Sequence, residues 1–177
     1  DTSDTDNFTA YVSGGKVRVR ASTLSGLSHL EGETVQILTE GSVHPSKIVA
    51  SGAITLNYST SKAHVGLAYT SDMQTLRPDA GAKDGTSQGK INRIHRVIFR
   101  LHQALGGFAG PDSTNLDELI FRTSSSQMDS PVALYNGDVE VEWNGEYSAD
   151  NHIFFRQTQP LPVTILAVMP QMNTQDR

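Results

Sequence analysis

The sequence contains no cysteine and only one tryptophan in 177 residues. Disulfide bonds and thiolate metal sites are therefore excluded, and the redox compartment is left open. The longest apolar stretch, LPVTILAVMP at residues 161–170, is too short and too rich in proline to span a bilayer. The formal net charge of -5 and the pI of about 5.6 argue against a broad nucleic-acid-binding surface.

The opening residues 1–7, DTSDTDN, begin without a methionine and show no signal-peptide pattern. We interpret this start as a cut into a longer protein. The same residues have some likeness to a calcium-binding loop, but they lack its central glycine and its distal glutamate. No calcium site is therefore expected there.

Hydrophobic residues alternate with a period of two through most of the sequence, which predicts an all-β protein. In KVRVR, Val17 and Val19 alternate with basic residues, as in a half-exposed strand at a sheet edge. In SKIVASGAITLNYS, a turn at Ser51 and Gly52 predicts a hairpin. Short strands at this spacing are typical of a small β-barrel or sandwich, which we place at residues 1–76.

A loop-like composition at residues 77–90, RPDAGAKDGTSQGK, marks a linker between two lobes. Residues 91–177 are expected to form the second lobe, an antiparallel β-sandwich-like unit. Its first segment, residues 91–105, fits both a helix face and a strand. The density of β-branched and aromatic residues favours the strand, and a helix is the alternative.

His29, Glu31 and Glu33 alternate in SHLEGE and would lie on one face of an extended chain. Three such side chains on one face could reach a metal ion. Their spacing matches no standard zinc motif, however, and they lie among turn residues. We therefore predict a solvated turn that binds no metal, in which Leu27 and Leu30 pack inward.

Two histidines and three arginines lie in the segment 91–105: His95, His102, Arg93, Arg96 and Arg100. The two histidines form no chelate on a helix or a strand without ligands from elsewhere. The arginines predict a basic face, suited to phosphate or to an acidic strand but more often a solvated or subunit-facing surface. On a strand, His95 would share the face of Val97 and Phe99 and be partly buried.

Four carboxylates accompany the strand predicted around Val139 and Val141: Asp138, Glu140, Glu142 and Glu146. A glycosidase carboxylate pair has a similar pattern. An exposed strand of a structural protein does too, and it is the simpler interpretation. No serine has the context of a nucleophile elbow. The residues thus predict no catalytic residue, no cofactor and no metal site, and we expect no enzyme.

The order of several motifs resembles the nozzle, or tail tubular, proteins of short-tailed bacteriophages and related phage tail proteins. The motifs are LSHLEG at residues 27–32, a glycine turn at Gly52 and VGLAY at residues 65–69. The likeness continues through GKINRIHRVIFRLHQALG and the segment from QMDSPVALYNGDVEVEW to LAVMP. It covers residues 24–170, whereas residues 7–22 fit the pattern only loosely.

The resemblance implies a β-rich structural protein of the virion tail that assembles as a ring through which DNA leaves. The implied partners are other tail proteins, further copies of the chain and, transiently, the passing DNA. A full subunit of that family is far longer than 177 residues, so the isolated chain would be one domain, monomeric or weakly associated.

Two other functional classes are alternatives to a structural tail protein. A carbohydrate-binding module for host recognition would need exposed aromatic residues on one face. A tail-associated glycan hydrolase would need a pair of carboxylates in a cleft, with suitable spacing and shifted pKa values.

Overall fold

A computed structural model describes most of the chain: residues 8–13, 16–79, 86, 89–124, 126 and 131–175. The fold is all-β, as the alternation predicted, and its strand pairs are antiparallel. Within these residues the helical structure is limited to one 3₁₀ turn, Ser28–Leu30. None of the described segments forms a helix long and apolar enough to cross a membrane. The loop-like residues 1–7 lie outside the described residues.

The chain divides into two compact units. The first comprises Asp1–Tyr69 with Asp129–Pro131, and the second comprises Thr70–Met128 with Val132–Arg177. The division after Tyr69 precedes the linker that the composition indicated at residues 77–90. Of that linker, residues 80–85 and 87–88 lie outside the described residues.

Among the described residues, the first unit contains six strands. They are β1 (Phe8–Ser13), β2 (Lys16–Ser25), β3 (Thr34–Thr39), β4 (Ser42–Ile48), β5 (Ala53–Thr60) and β6 (Ala63–Leu67). They form two open three-stranded sheets, in the orders β1-β2-β5 and β4-β3-β6. Because neither sheet closes on itself, the unit is sandwich-like rather than a closed barrel. The strand β2 is central and not at an edge, because it pairs with β1 on one side and β5 on the other.

The core of the first unit is supplied by both of its sheets. Val35 and Ile37 of β3 and Ile54 and Leu56 of β5 are buried, and Val49 joins them from the connection after β4. These positions alternate along their strands, as period two requires. Burial of such side chains is the main stabilising contribution to a unit of this size.

The turn at Ser51 and Gly52 exists, but it does not connect two strands of one sheet. Both residues have positive φ angles, 54° and 66°, and Ala50 and Ala53 exchange backbone hydrogen bonds of 3.0 and 3.1 Å around them. The strand before the turn pairs with β3, whereas the strand after it pairs with β2. The predicted hairpin is therefore wrong in its pairing, because the tight turn carries the chain from one sheet to the other.

In the second unit, the part of the chain that the structure describes forms seven strands. They are β7 (Ser71–Gln74), β8 (Ile91–Ala104), β9 (Phe108–Gly110), β10 (Asp117–Glu118), β11 (Tyr135–Glu142), β12 (Phe154–Gln157) and β13 (Ile165–Gln175). Two open sheets result, in the orders β10-β9-β12-β7 and β11-β8-β13. The chain enters this unit before the expected linker because β7 pairs with β12.

The long strand β8 organises the second unit, and its strand prediction is confirmed. It is central in its sheet, and Val97, Phe99 and Leu101 point into the core. Phe99 meets Phe155 of β12 with ring centroids 5.8 Å apart, so the two sheets pack through aromatic contact. Trp143, directly after β11, completes this core.

Candidate functional site

The basic face of β8 is paired with the acidic face of β11. The Arg100 guanidinium donates two hydrogen bonds of 2.8 Å to the carboxylate of Asp138, and Arg96 lies 2.9 Å from Glu140. The hydrogen bonds from Arg100 lower the pKa of Asp138. The acidic strand that the basic face was expected to contact is therefore β11 of the same chain. These two arginines are engaged and offer little to a phosphate.

His95 is exposed, although the strand pattern predicted a partly buried side chain. The pairing of β8 with β13 shifts register between Ile94 and Arg96, which places a β-bulge at His95. The bulge moves His95 off the face of Val97 and turns its side chain to solvent. Its carbonyl oxygen accepts a hydrogen bond of 3.1 Å from the backbone N–H of Trp143.

The stretch with His29, Glu31 and Glu33 is a turn, and one of its carboxylates has a structural role. Glu31 accepts hydrogen bonds of 2.8 and 2.7 Å from the backbone N–H groups of Ser51 and Gly52. The side chains of His29 and Glu33 are exposed. Leu27 and Leu30 pack against the core of the first unit, as expected.

The first unit also buries a histidine, His44 of β4. Its Nδ1–H donates to the carbonyl oxygen of Pro45 at 2.8 Å, and its Nε2 accepts the backbone N–H of Asn57 at 3.0 Å. Both ring nitrogens are therefore occupied by backbone groups, which suits a structural role linking β4 to β5. In the part of the chain that the structure describes, no group of three or more histidine, aspartate and glutamate residues could hold a metal ion.

A cleft of about 710 Å³ opens in the second unit beside Trp143. Two stretches supply most of its walls, the loop between β9 and β10 and the segment that follows β11. The lining residues are Gly110, Pro111, Asp112, Thr114, Asn115, Leu116, Asp117, Glu142, Trp143, Asn144, Gly145, Glu146 and Asn151. Four are acidic and none is basic.

The loop wall of the cleft is built around Asp112. Its carboxylate accepts the backbone N–H groups of Thr114 and Asn115 at 2.7 and 3.0 Å and the Asn115 side-chain amide at 2.7 Å. These hydrogen bonds, that of the Thr114 hydroxyl foremost, hold the pKa of Asp112 far below its usual range. The loop also crosses closely over Gly110, where an added Cβ would lie 1.7 Å from the Asn115 carbonyl oxygen. These hydrogen bonds and the close backbone packing at Gly110 hold the loop in place.

The opposite wall is held by Arg93 and Trp143. The Arg93 Nε–H donates to the carbonyl oxygen of Gly145 at 2.9 Å, and its guanidinium lies 5.9 Å from the centre of the Tyr147 ring. Trp143 is only 4% exposed and is anchored through its backbone to His95. These contacts fix the segment of residues 143–147 against β8.

The indole N–H of Trp143 has no hydrogen-bond partner among the residues described, yet it is not sealed from solvent. A Cβ added at Gly145 would lie 3.1 Å from Cδ1 and 3.6 Å from Nε1 of the indole. Since Gly145 carries no side chain, this edge of the ring is left uncovered. Both residues line the cleft, so the free N–H lies at its wall.

Three carboxylates of the cleft are also unpaired. Within the described part of the chain, Asp117, Glu142 and Glu146 form no ion pair and no side-chain hydrogen bond. Glu140, two residues before Glu142 on the same strand, differs because it pairs with Arg96. The acidic face predicted from the sequence is thus split between an ion-paired half and a cleft-lining half.

Sequence reasoning identified Glu142 and Glu146 as acidic but missed the cleft. Asp112, Asn115 and Gly110 were not predicted as site residues, although the sequence PDSTN at residues 111–115 is typical of a side-chain-capped turn. His95 and His102 are exposed and do not line the cleft.

Neither protein-family models nor curated proteins provide a match for this chain.

Proposed function

We propose that the chain is a structural component of a bacteriophage tail, of the nozzle or tail-tube type, whose role is subunit assembly rather than catalysis. The observation that carries the proposal is the order of motifs from Leu27 to Pro170 on a chain whose fold is all-β. The proposed location is the virion tail. The proposed partners are other tail proteins and further copies of this chain.

Apolar side chains exposed on edge strands support an assembly role. In the first unit, Ile48 at the end of β4 is 65% exposed and Leu67 at the end of β6 is 54% exposed. In the second unit, Leu166 of the edge strand β13 is 61% exposed. Open edges with apolar side chains favour pairing with another chain. Isolated exposed apolar residues are common, so their position on the edges is the relevant fact.

The charge of the chain is compatible with a channel through which DNA passes. A net charge of -5 repels phosphates, so DNA in transit would make only transient contacts. Two arginines of β8 that would attract phosphate, Arg96 and Arg100, are paired with carboxylates of β11.

The isolated chain is proposed to be monomeric or weakly associated. Stable interfaces bury on the order of 1,200–2,000 Å², more than a few exposed residues on each unit supply. Ring assembly would then need contacts from the rest of a longer subunit.

Mass spectrometry of purified virions from the genome that encodes the chain tests the proposal. We expect the chain in intact particles and in the tail fraction after capsids and tails are separated. Genes for portal, adaptor and internal virion proteins should lie beside its gene. A chain found only in the infected cell, and absent from particles, would contradict the proposal.

A carbohydrate-binding module for host recognition is the second candidate. The cleft beside Trp143 favours it, because sugar sites combine carboxylates, amides and an aromatic side chain. The fully stacked aromatic platform expected for that class is not formed by Trp143, whose ring faces are buried in the core.

A further inference from the structure

We propose that the cleft beside Trp143 binds a neutral saccharide through hydrogen bonds to the indole N–H and to the unpaired carboxylates around it. The inference does not depend on the assignment to a phage tail. It rests on the cavity, on the indole edge that Gly145 leaves uncovered and on the chemistry of the lining residues.

The unpaired N–H of Trp143 is the feature that selects the ligand. The residue is only 4% exposed and packs in the core of the second unit, so the donor has a fixed position. Because this N–H reaches solvent and has no protein acceptor, a ligand acceptor can take the place of water there. Gly145 leaves room for such a ligand at the indole edge.

The carboxylates of the cleft require hydrogen-bond donors from the ligand. Asp117, Glu142 and Glu146 accept hydrogen bonds and have no donor among the described residues. The ligand must therefore present acceptors and donors side by side. A hydroxyl group does both, and a sugar ring carries several hydroxyl groups at fixed spacing.

Charged ligands fit this arrangement less well. An anion such as a phosphate would meet four carboxylates and no basic residue. A cation would satisfy the carboxylates but would leave the indole N–H without an acceptor. A neutral polyhydroxylated ligand satisfies both kinds of group.

The size and stiffness of the cleft also suit a small ligand. Its volume of about 710 Å³ lies within the range of ordinary small-molecule sites, roughly 300–1,000 Å³. The Asp112 hydrogen bonds fix one wall and the Arg93 hydrogen bond to Gly145 fixes the other. A preformed site avoids much of the ordering cost of binding.

Trp143 is the only tryptophan, so its fluorescence reports directly on the cleft. The chain is titrated with a panel of neutral oligosaccharides built from hexoses, N-acetylhexosamines and 6-deoxyhexoses. Spermine and inorganic phosphate serve as charged comparators. We expect a saturable change in emission with at least one neutral saccharide and none with phosphate or spermine at equal concentration.

Two variants on one strand provide a matched pair. Glu142→Ala should weaken saccharide binding about tenfold or more, the effect of losing one hydrogen bond to a charged group. Glu140→Ala removes a carboxylate of the same strand outside the cleft and should leave binding unchanged. Both side chains are exposed, so folding should survive. Trp143→Phe removes the N–H together with the fluorophore, so saccharide binding by this variant is measured by isothermal titration calorimetry, and it should fall as it does in Glu142→Ala.

The proposal is overturned if no neutral saccharide in the panel gives a saturable response. It is equally overturned if spermine alone binds, since the site would then be a cation site. Saccharide binding that Glu142→Ala leaves intact would place the ligand elsewhere and also overturn it. Absence of the chain from virions would contradict the tail assignment alone.

Discussion

The carboxylate of Glu31 spans the backbone amides of Ser51 and Gly52, with Oε2 2.7 Å from the Gly52 nitrogen. The turn at these two residues transfers the chain between the two sheets of the first unit. Ser51 has a positive φ angle of 54° although it is not a glycine, so its backbone is strained and benefits from a fixed partner. Glu31 thus stabilises the turn that connects the two sheets of the first unit.

Replacing Glu31 by alanine should destabilise the first unit by about 1–3 kcal/mol, because two N–H groups lose a charged acceptor. Hydrogen exchange of the Ser51 and Gly52 amides should accelerate most. Glu33→Ala is the control, since Glu33 is exposed and its carboxylate makes no such contact. Equal effects of the two substitutions on urea unfolding would show that the Glu31 hydrogen bonds contribute nothing.

Metal binding in the same stretch is tested separately. We expect no heat of binding when the chain is titrated with zinc or calcium, because Glu31 is occupied by the turn and His29 has no converging ligand among the residues described. A micromolar site that disappears on His29→Ala would contradict this expectation.

The core of the first unit should respond to truncation according to burial. Ile37 is fully buried, and Ile37→Ala should cost about 2–5 kcal/mol. Leu30 is only partly buried at the edge of the same cluster, so Leu30→Ala should cost clearly less. Chemical denaturation of both variants decides the order, and a larger loss at Leu30 would mean that the 3₁₀ turn carries more of the core than its exposure indicates.

A pair of charges makes the second unit sensitive to acid. Arg156 of β12 donates two hydrogen bonds of 2.7 and 2.8 Å to Asp72 of β7, and they lower the pKa of the Asp72 carboxyl. The folded state then binds fewer protons than the unfolded state near pH 4, the ordinary aspartate range. The stabilisation is complete above that range and is lost as the pH falls through the lowered pKa of the folded state.

The measurement is the urea midpoint of the Trp143 emission between pH 6 and pH 2. Asp72→Asn should reduce the fall of the midpoint at the acid end. Asp117→Asn should not, because Asp117 is exposed and has no ion-pair partner among the described residues. A pH dependence that is identical in the wild type and in Asp72→Asn would show that this ion pair is not linked to folding.

Much of the fold follows from local signals. The density of β-branched and aromatic residues over residues 91–105 favoured a strand over a helix, and Val97, Phe99 and Leu101 of that strand are buried in the core. Positive φ at Ser51 and Gly52 is what a two-residue turn requires, so the turn itself was predictable.

The features that the sequence did not predict depend on contacts between segments far apart in the chain. The bulge at His95 arises from the pairing of β13 with β8, and no local pattern in NRIHRV predicts it. The partner of each strand beside the Ser51–Gly52 turn is likewise decided by the competition between sheets. The cleft joins the loop after Gly110 to the segment after Glu142, and no linear motif links the two.

The electrostatic character of the cleft gives a last prediction that needs no ligand. Trp143 is 4% exposed and lines the same cleft as Asp117, Glu142 and Glu146. A negative cleft concentrates cations and excludes anions at the indole edge. Caesium should therefore quench the fluorescence of Trp143 several-fold more effectively than iodide at low ionic strength, and added sodium chloride should reduce the difference because salt screens exposed charges. In Glu142→Gln and Glu146→Gln the preference for caesium should fall, whereas in Glu140→Gln it should persist, since Glu140 is paired with Arg96 outside the cleft. Equal quenching by the two ions in the unmodified chain would mean that the indole edge does not face these carboxylates, and it would remove the basis for a saccharide site there.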